Sequence, residues 1–264
     1  MYENNIPTAS NHNLIESEKE MKVSGNAILI TGGTSGIGLA FAEKLLELGN
    51  KVIICGRREN RLNDIKKKHS GIINKVCDVN DRVERESLAT WVIKNYPEVN
   101  VLINNAGIQL LVDLTHQINL DRVHNEVETN LIAPIHLTSL LAQHLIQKKE
   151  SAIINISSGL AFVPISFMPV YCATKAALHS VTLSLRHQLK ETNVKVFEIA
   201  PPSVDTELGH ERREDKTQSH GGIHVDEFIS EAMKAIENDI YESAVGMSEN
   251  MRQKRESLFS SINH

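Results

Sequence analysis

Short runs of apolar, largely β-branched residues alternate along this chain with longer stretches whose apolar positions recur every three or four residues. Ala27–Thr31 opens the series, and Lys51–Cys55, Ile73–Asp78, Val101–Asn104, Ala152–Ser157, Val194–Ile199 and a weaker Ser243–Gly246 continue it. These runs predict strands, and the near-continuous apolar character of Ala27-Ile28-Leu29-Ile30 predicts burial on both faces. Between them, 37–48, 57–68, 81–95, 120–147 and 171–191 predict helices. Alternation at this spacing predicts an α/β fold: a doubly wound parallel sheet of about seven strands with helices on both faces.

No internal repeat and no Pro- or Gly-rich linker divides the series. Residues 25–264 therefore read as one domain, preceded by a polar, flexible arm at 1–24. Residues 207–225 break the rhythm. This polar stretch, with Gly221-Gly222, follows the sixth predicted strand at the carboxyl side of the sheet, where open α/β sheets bind ligands. It reads as a substrate lid or as a surface loop.

Composition narrows the function classes. The chain has 264 residues, 41% hydrophobic and 23% charged, an ordinary globular mix. A net charge of −5 without blocks of like charge gives no footprint for nucleic acid. No apolar run is long enough to span a bilayer, and residues 1–24 lack the basic start and apolar centre of a signal peptide. Cys55, Cys77 and Cys172 are widely spaced and odd in number, as reduced thiols of a cytoplasmic protein would be. Among twelve histidines, His124, His136, His144, His179 and His187 sit at helical spacings that suit solvated faces. His220 and His224 lack a cysteine or carboxylate frame, so no metal site is expected.

Chemistry concentrates in two places. Tyr171 and Lys175 lie four residues apart at the start of a predicted helix, which puts both on one face about 6 Å apart along the axis. An ammonium that close favours the tyrosinate and lowers a phenol that otherwise titrates near about 10. The pair is therefore a candidate proton donor, or else a surface pair at helical spacing. Upstream, the first strand runs straight into Thr31-Gly32-Gly33-Thr34-Ser35-Gly36-Ile37-Gly38 and then into a helix. Gly32, Gly36 and Gly38 let the backbone turn and approach a pyrophosphate that meets the helix N-terminus.

The second strand ends at Cys55-Gly56, where an NAD-preferring site usually carries Asp or Glu; Arg57 and Arg58 follow instead. With no carboxylate there to repel a 2′-phosphate, the two guanidiniums favour NADP(H), with NAD(H) the alternative. Arginines flanking a solvated helix are the other reading of the pair. Asp78 ends the third strand, where it can accept from an adenine amino group. Asn104-Asn105-Ala106-Gly107 ends the fourth, and its small residues permit close backbone approach to a cofactor.

In combination and in this order, Thr31–Gly38, Asp78, Asn104–Gly107, Asn130, Ser158, Tyr171 and Lys175 resemble the short-chain dehydrogenases/reductases of the single-domain type. Leu48–Arg57, Ser158–Phe162 and Pro169–Ser180 resemble the bacterial DltE-like branch, a likeness that fixes no substrate. The resemblance spans 27 to about 206 and implies a Rossmann-type fold. It also implies a cofactor held by Gly32, Thr34, Ser35, Gly36, Ile37, Gly38, Arg57, Arg58, Asp78, Val79, Asn105, Ala106, Gly107, Tyr171, Lys175, Pro201, Val204 and Thr206. Tyr171 would protonate a carbonyl oxygen, Lys175 would lower its pKa and hold the nicotinamide ribose, and Asn130 would hold a water behind Lys175. Ser158 would bond the substrate oxygen, the family's thirteen-residue spacing to the tyrosine selecting it over Ser157. Thr206 would hold the carboxamide. Pro201-Pro202 stands where many relatives carry Pro-Gly, which stiffens the backbone there.

Leu160–Pro169 is almost wholly apolar. It reads as a pocket wall, with Leu160 and Phe162 against a substrate with an apolar body, or as core or subunit interface. Cys172 beside the tyrosine is an oxidisable thiol or a small buried one. Leu131, Ile132, Ile135, Leu137, Leu140 and Leu141 give helix 120–147 more apolar surface than one sheet face needs. With the assemblies common among similar proteins, this implies a homodimer or homotetramer. The expected activity is hydride transfer between NADP(H) and a small carbonyl or alcohol; the alternative is a catalytically idle NADP(H)-binding sensor or scaffold.

Overall fold

A computed structural model describes residues 21–208 and 221–263 of the chain. Seven strands, β1 (Ala27–Thr31), β2 (Lys51–Gly56), β3 (Ile72–Val76), β4 (Val101–Asn104), β5 (Ser151–Ile156), β6 (Val194–Ala200) and β7 (Glu242–Ala244), form one sheet. Their order is β3-β2-β1-β4-β5-β6-β7, and every neighbouring pair is parallel. Period-two alternation divides the central strands between two cores. Ile28, Ile30, Val52, Ile54, Val101 and Ile103 enter one, and Ala27, Leu29, Ile53, Cys55 and Leu102 enter the other. Each fully buried aliphatic side chain contributes about 1.5–3 kcal/mol, which is why the strands read as unbroken apolar runs.

The helices are α1 (Gly36–Glu47), α2 (Glu59–Lys68), α3 (Arg82–Asn95), α4 (Leu120–Val127), α5 (Ala133–Ile146), α6 (Pro169–Gln188), α7 (Val225–Glu237), α8 (Met247–Lys254) and the single turn α9 (Phe259–Ile262). Three begin at side-chain caps: Asp81 accepts from the Glu84 N–H, Asn119 from the Arg122 N–H and His224 from the Asp226 N–H. None is long and apolar enough to cross a membrane.

Three expectations change. The stretch 120–147 is interrupted by a π-helical turn at Glu128–Ile132 between α4 and α5. Pro134 has no N–H for the carbonyl four residues back, that of Asn130, so the ordinary ladder cannot run through. Helix α7 is not among the expected elements, although Phe228, Ile229, Ala232, Met233 and Ile236 recur on one face and are buried. Phe228 meets Phe41 of α1 edge to face at 6.3 Å. Finally, the end of the 1–24 arm is not loose. Met21 is buried in the core and its N–H donates to Asp239, because an apolar side chain there gains by covering the sheet end. Residues 1–20 lie outside the described residues, as do 209–220 of the expected lid.

Candidate functional site

The strand order reverses between β1 and β4, and the crevice outside a parallel sheet opens at such a switch point. A cleft of about 880 Å³ lies there. Its floor is built by hydrogen bonds between the two strand ends. Thr31 Oγ1 accepts from the N–H groups of Asn105 and Ala106, each at 3.1 Å. Asn105 Nδ2 donates to the carbonyls of Thr31 at 2.9 Å and Gly32 at 3.3 Å. Two glycines are dictated by this packing. Gly32 has φ +67°, and a Cβ on it would sit 2.8 Å from Ala106 Cα; one on Gly38 would sit 2.5 Å from the Gly32 carbonyl oxygen. Helix α1 thus starts directly behind the loop with no acidic residue in its first turn, which leaves its N-terminus suited to an anion.

Thr34, Ser35, Gly36, Ile37, Arg57, Arg58, Asp78, Val79, Ala106, Gly107, Pro201 and Thr206 all border this cleft, as do Gly32, Gly38 and Asn105. At one end Arg58 donates to Thr34 Oγ1 at 2.9 Å and Ser35 Oγ at 2.8 Å. Arg57, 63% exposed, lies 3.9 Å from Asp78. Behind Val79, the buried Arg85 donates to the Val79 carbonyl and pairs with Glu128 at 2.7 Å. The expectation of arginines with no competing carboxylate needs correction. Glu207 reaches the same place across the fold, 3.2 Å from Arg58 and 2.6 Å from Arg61. Val204 also departs from expectation: its side chain is buried in the core rather than facing the cleft, and its backbone is bridged to that of Ile223.

At the other end α6 brings Tyr171 and Lys175, only 5% and 4% exposed, into line. The Lys175 Nζ lies 5.7 Å from the Tyr171 ring centre and donates to the Ile156 carbonyl at 2.9 Å. Burial pushes the Lys175 ammonium down to about 8, with the Glu198 and Glu126 carboxylates opposing the shift. Glu126, from α4, is itself buried and its carboxyl is pushed up by that burial, against a bond from the Leu110 N–H. The Asn130 side chain accepts from the Ile108 N–H at 2.8 Å and donates to the Ile108 carbonyl and Thr174 Oγ1. It therefore clamps the loop after β4 to α6. Ser158 accepts from the Leu160 N–H at 3.1 Å, capping a short 3-10 turn, and its own O–H remains a donor. Its neighbour Ser157 is the one that borders the cleft.

The apolar wall is not where the sequence suggests. Phe162, 2% exposed, packs with Val163 and Ala200 in a separate small core, edge-on to His179 at 5.1 Å. Leu160 packs against Met168, Tyr171 and Cys172, and burial pushes the Cys172 thiol up. The apolar lining comes instead from Ile108, Leu110, Leu111 and Leu208. The position of 108–111 just past the fourth strand is the signal that points to them. Arg122, Asn125 and Thr129 also border the cleft, at helical spacing along one face.

His179 does not face solvent. It lies on the Tyr171–Lys175 face of α6 one turn further on, and its Nδ1 is 2.8 Å from the fully buried Glu198. Among the described residues, His179, Glu198 and Glu242 bring ligand-type atoms within 4.8 Å of one another. Arg252 already neutralises Glu242 at 3.2 Å, so the group reads as an ion-pair network.

Comparison with known proteins follows the same lines. The family described as short chain dehydrogenase matches residues 26–217. An uncharacterized oxidoreductase DltE of Bacillus subtilis is 46% identical over 250 residues, 92% of this chain and 98% of that one. The NADP-dependent 3-hydroxy acid dehydrogenase YdfG of Salmonella typhi is 30% identical over 214 residues, 78% of this chain and 86% of that protein. In fold, the chain is similar to a short-chain dehydrogenase from Sphingobium yanoikuyae in complex with NADPH, with TM-score 0.75 and 24% identity over 83% of this chain and 86% of that one. It is equally similar to one from Burkholderia phymatum in complex with NAD, with TM-score 0.79 and 22% identity over 92% and 97%.

Proposed function

The chain belongs to the short-chain dehydrogenase family, and from that premise we propose an NADP(H)-dependent carbonyl reductase or alcohol dehydrogenase acting on a small molecule with an apolar body. The observation that carries the reading is one cleft with a glycine cradle in its floor, the Tyr171–Lys175 pair at one end and arginines at the other. The nicotinamide cofactor supplies the hydride. Tyr171 donates the proton to the carbonyl oxygen, or removes it in the reverse direction. Lys175, cationic below about 8, favours the tyrosinate and so eases that transfer. Ser158 donates to the same oxygen. Because the Asn130 amide is engaged with Ile108 and Thr174, its part in a proton relay falls to its main-chain carbonyl, which Pro134 deprives of its ordinary helical donor. No observation favours an idle sensor, since each catalytic position is filled.

Arg57 and Arg58 support NADP(H) over NAD(H), and Leu110, Leu111 and Leu208 support an apolar substrate body. Turnover of a carbonyl panel with both cofactors tests this. The protein should favour NADPH by about tenfold or more in kcat/KM, and Arg57→Asp should narrow or reverse that preference. Equal use of both cofactors by the parent counts against the arginine reading, and turnover confined to highly charged carbonyls against the apolar one. A cytoplasmic location fits the three cysteines, all of them thiols. A homodimer or homotetramer fits the exposed Ile132 and Ile135 of the π turn and α5 and Leu183 of α6. Light scattering should give a mass at least twice that of the chain; a clean monomer defeats it.

A further inference from the structure

Glu207 sits against the same donors that would receive a 2′-phosphate. Its carboxylate accepts from Arg61 at 2.6 Å and from Arg58 at 3.2 Å, while Arg58 also holds the hydroxyls of Thr34 and Ser35. Thr34, Ser35, Arg57, Arg58 and Glu207 border one cleft. A carboxylate and a phosphate monoester make the same kind of forked, charge-assisted bonds to guanidinium groups. Two guanidiniums and two hydroxyls therefore form an oxyanion site, and the chain's own carboxylate holds it.

We propose that Glu207 occupies the anion position of Arg58 and Arg61 and must give way for the 2′-phosphate of NADP(H), which makes it a residue that sets discrimination between NADP(H) and NAD(H). The inference rests on the NADP(H) reading above. It has a physical basis in charge and in anchoring. Partial burial works against the Glu207 carboxylate, yet the bonds from Arg61 and Arg58 hold it below the ordinary carboxylate range, so it is ionised at neutral pH. An incoming phosphate meets a like charge and must replace two charge-assisted bonds. A ribose 2′-hydroxyl does neither, and it can donate to the carboxylate. The backbone delivering Glu207 is also fixed. Thr206 packs 3.1 Å from the Cβ position of Gly36, and Val204 is bridged to Ile223.

Adenosine 2′,5′-bisphosphate and 5′-AMP differ only in the 2′-phosphate that distinguishes the two cofactors, and calorimetric titration of the parent, Glu207→Gln and Arg58→Ala tests the inference. Glu207→Gln should bind the bisphosphate about fivefold more tightly than the parent, in keeping with a half-exposed ion pair. 5′-AMP, whose 2′-hydroxyl can donate to the Gln carbonyl oxygen as it can to the carboxylate, should bind both alike, which reports an intact fold. Arg58→Ala should weaken the bisphosphate selectively. If the parent prefers the bisphosphate and Arg58→Ala abolishes that preference, but Glu207→Gln leaves it unchanged or weaker, the inference is overturned and the NADP(H) reading stands. If the parent binds both ligands equally and neither variant changes the ratio, both fall.

Discussion

Tyr171→Phe is expected to lower kcat/KM for carbonyl reduction by about a thousandfold while NADPH binds as in the parent, a loss of about 4 kcal/mol in transition-state stabilisation. The substitution removes one hydroxyl and keeps the ring that packs with Met168, Cys172 and Leu160. Lys175 keeps its bond to the Ile156 carbonyl, so the cofactor end of the site is undisturbed. On the proposed mechanism only the proton donor is lost, and a transfer of this type contributes about 10²–10⁴ in rate. Steady-state kinetics with a fluorescence titration of NADPH separates the two effects. Full activity in the variant would move the acid to another group.

Glu198→Ala is expected to lower stability by about 3 kcal/mol, because breaking a buried ion pair leaves its partner uncompensated. Glu198 lies in β6 with no exposed surface, and His179 approaches it from α6 at 2.8 Å. The bond to Glu198 raises the His179 pKa above its ordinary value, against the effect of burial, and the Glu198 and Glu242 charges add to the rise. A group whose folded pKa is raised contributes stability that is complete below its unfolded value, about 6.5, and is lost as pH rises through the higher folded value. In the variant, His179 loses its largest support, and only the Glu242 charge is left to oppose burial and Arg255, which disfavour its charged form, so the variant suffers most at low pH. Both effects have the same sign. Urea unfolding should show the gap between parent and variant widest near about pH 6 and narrowing above it. A gap that is constant or widens with pH would falsify the role given to the pair.

How much of this could be read in the sequence follows from the range of the interactions. β1 and β4 lie where the apolar runs place them, since burial on both faces leaves an unbroken signature. The glycine loop and the Tyr171–Lys175 spacing are likewise local, and the fold brings them to one cleft. The π turn was readable in principle from Pro134 after Asn130, and α7 from its own period. His179 continues the Tyr171, Lys175 spacing by four more residues, which already placed it on the inward face. Glu207 is different. It lies 146 residues from Arg61 in sequence, and no periodicity or motif ties them. Phe162 shows the converse: proximity to Ser158 in sequence suggested a pocket wall, but α8 and the turn after it supply a core that takes the ring away.

The seam between β1 and β4 has a kinetic consequence. Ile28 pairs with Val101, so this contact spans 73 residues (101 − 28), whereas β1 pairs with β2 across the much shorter crossover that carries α1, Ile28 lying beside Val52. Such non-local pairings form late, after the loop they close has lost its conformational freedom. β1 contributes the glycine loop and β4 the wall at Asn105–Gly107, so neither half of the chain owns a dinucleotide site. Capture of the cofactor therefore reports that the two halves have docked. By mass action, each occupied cleft also draws newly made chains out of the half-assembled population.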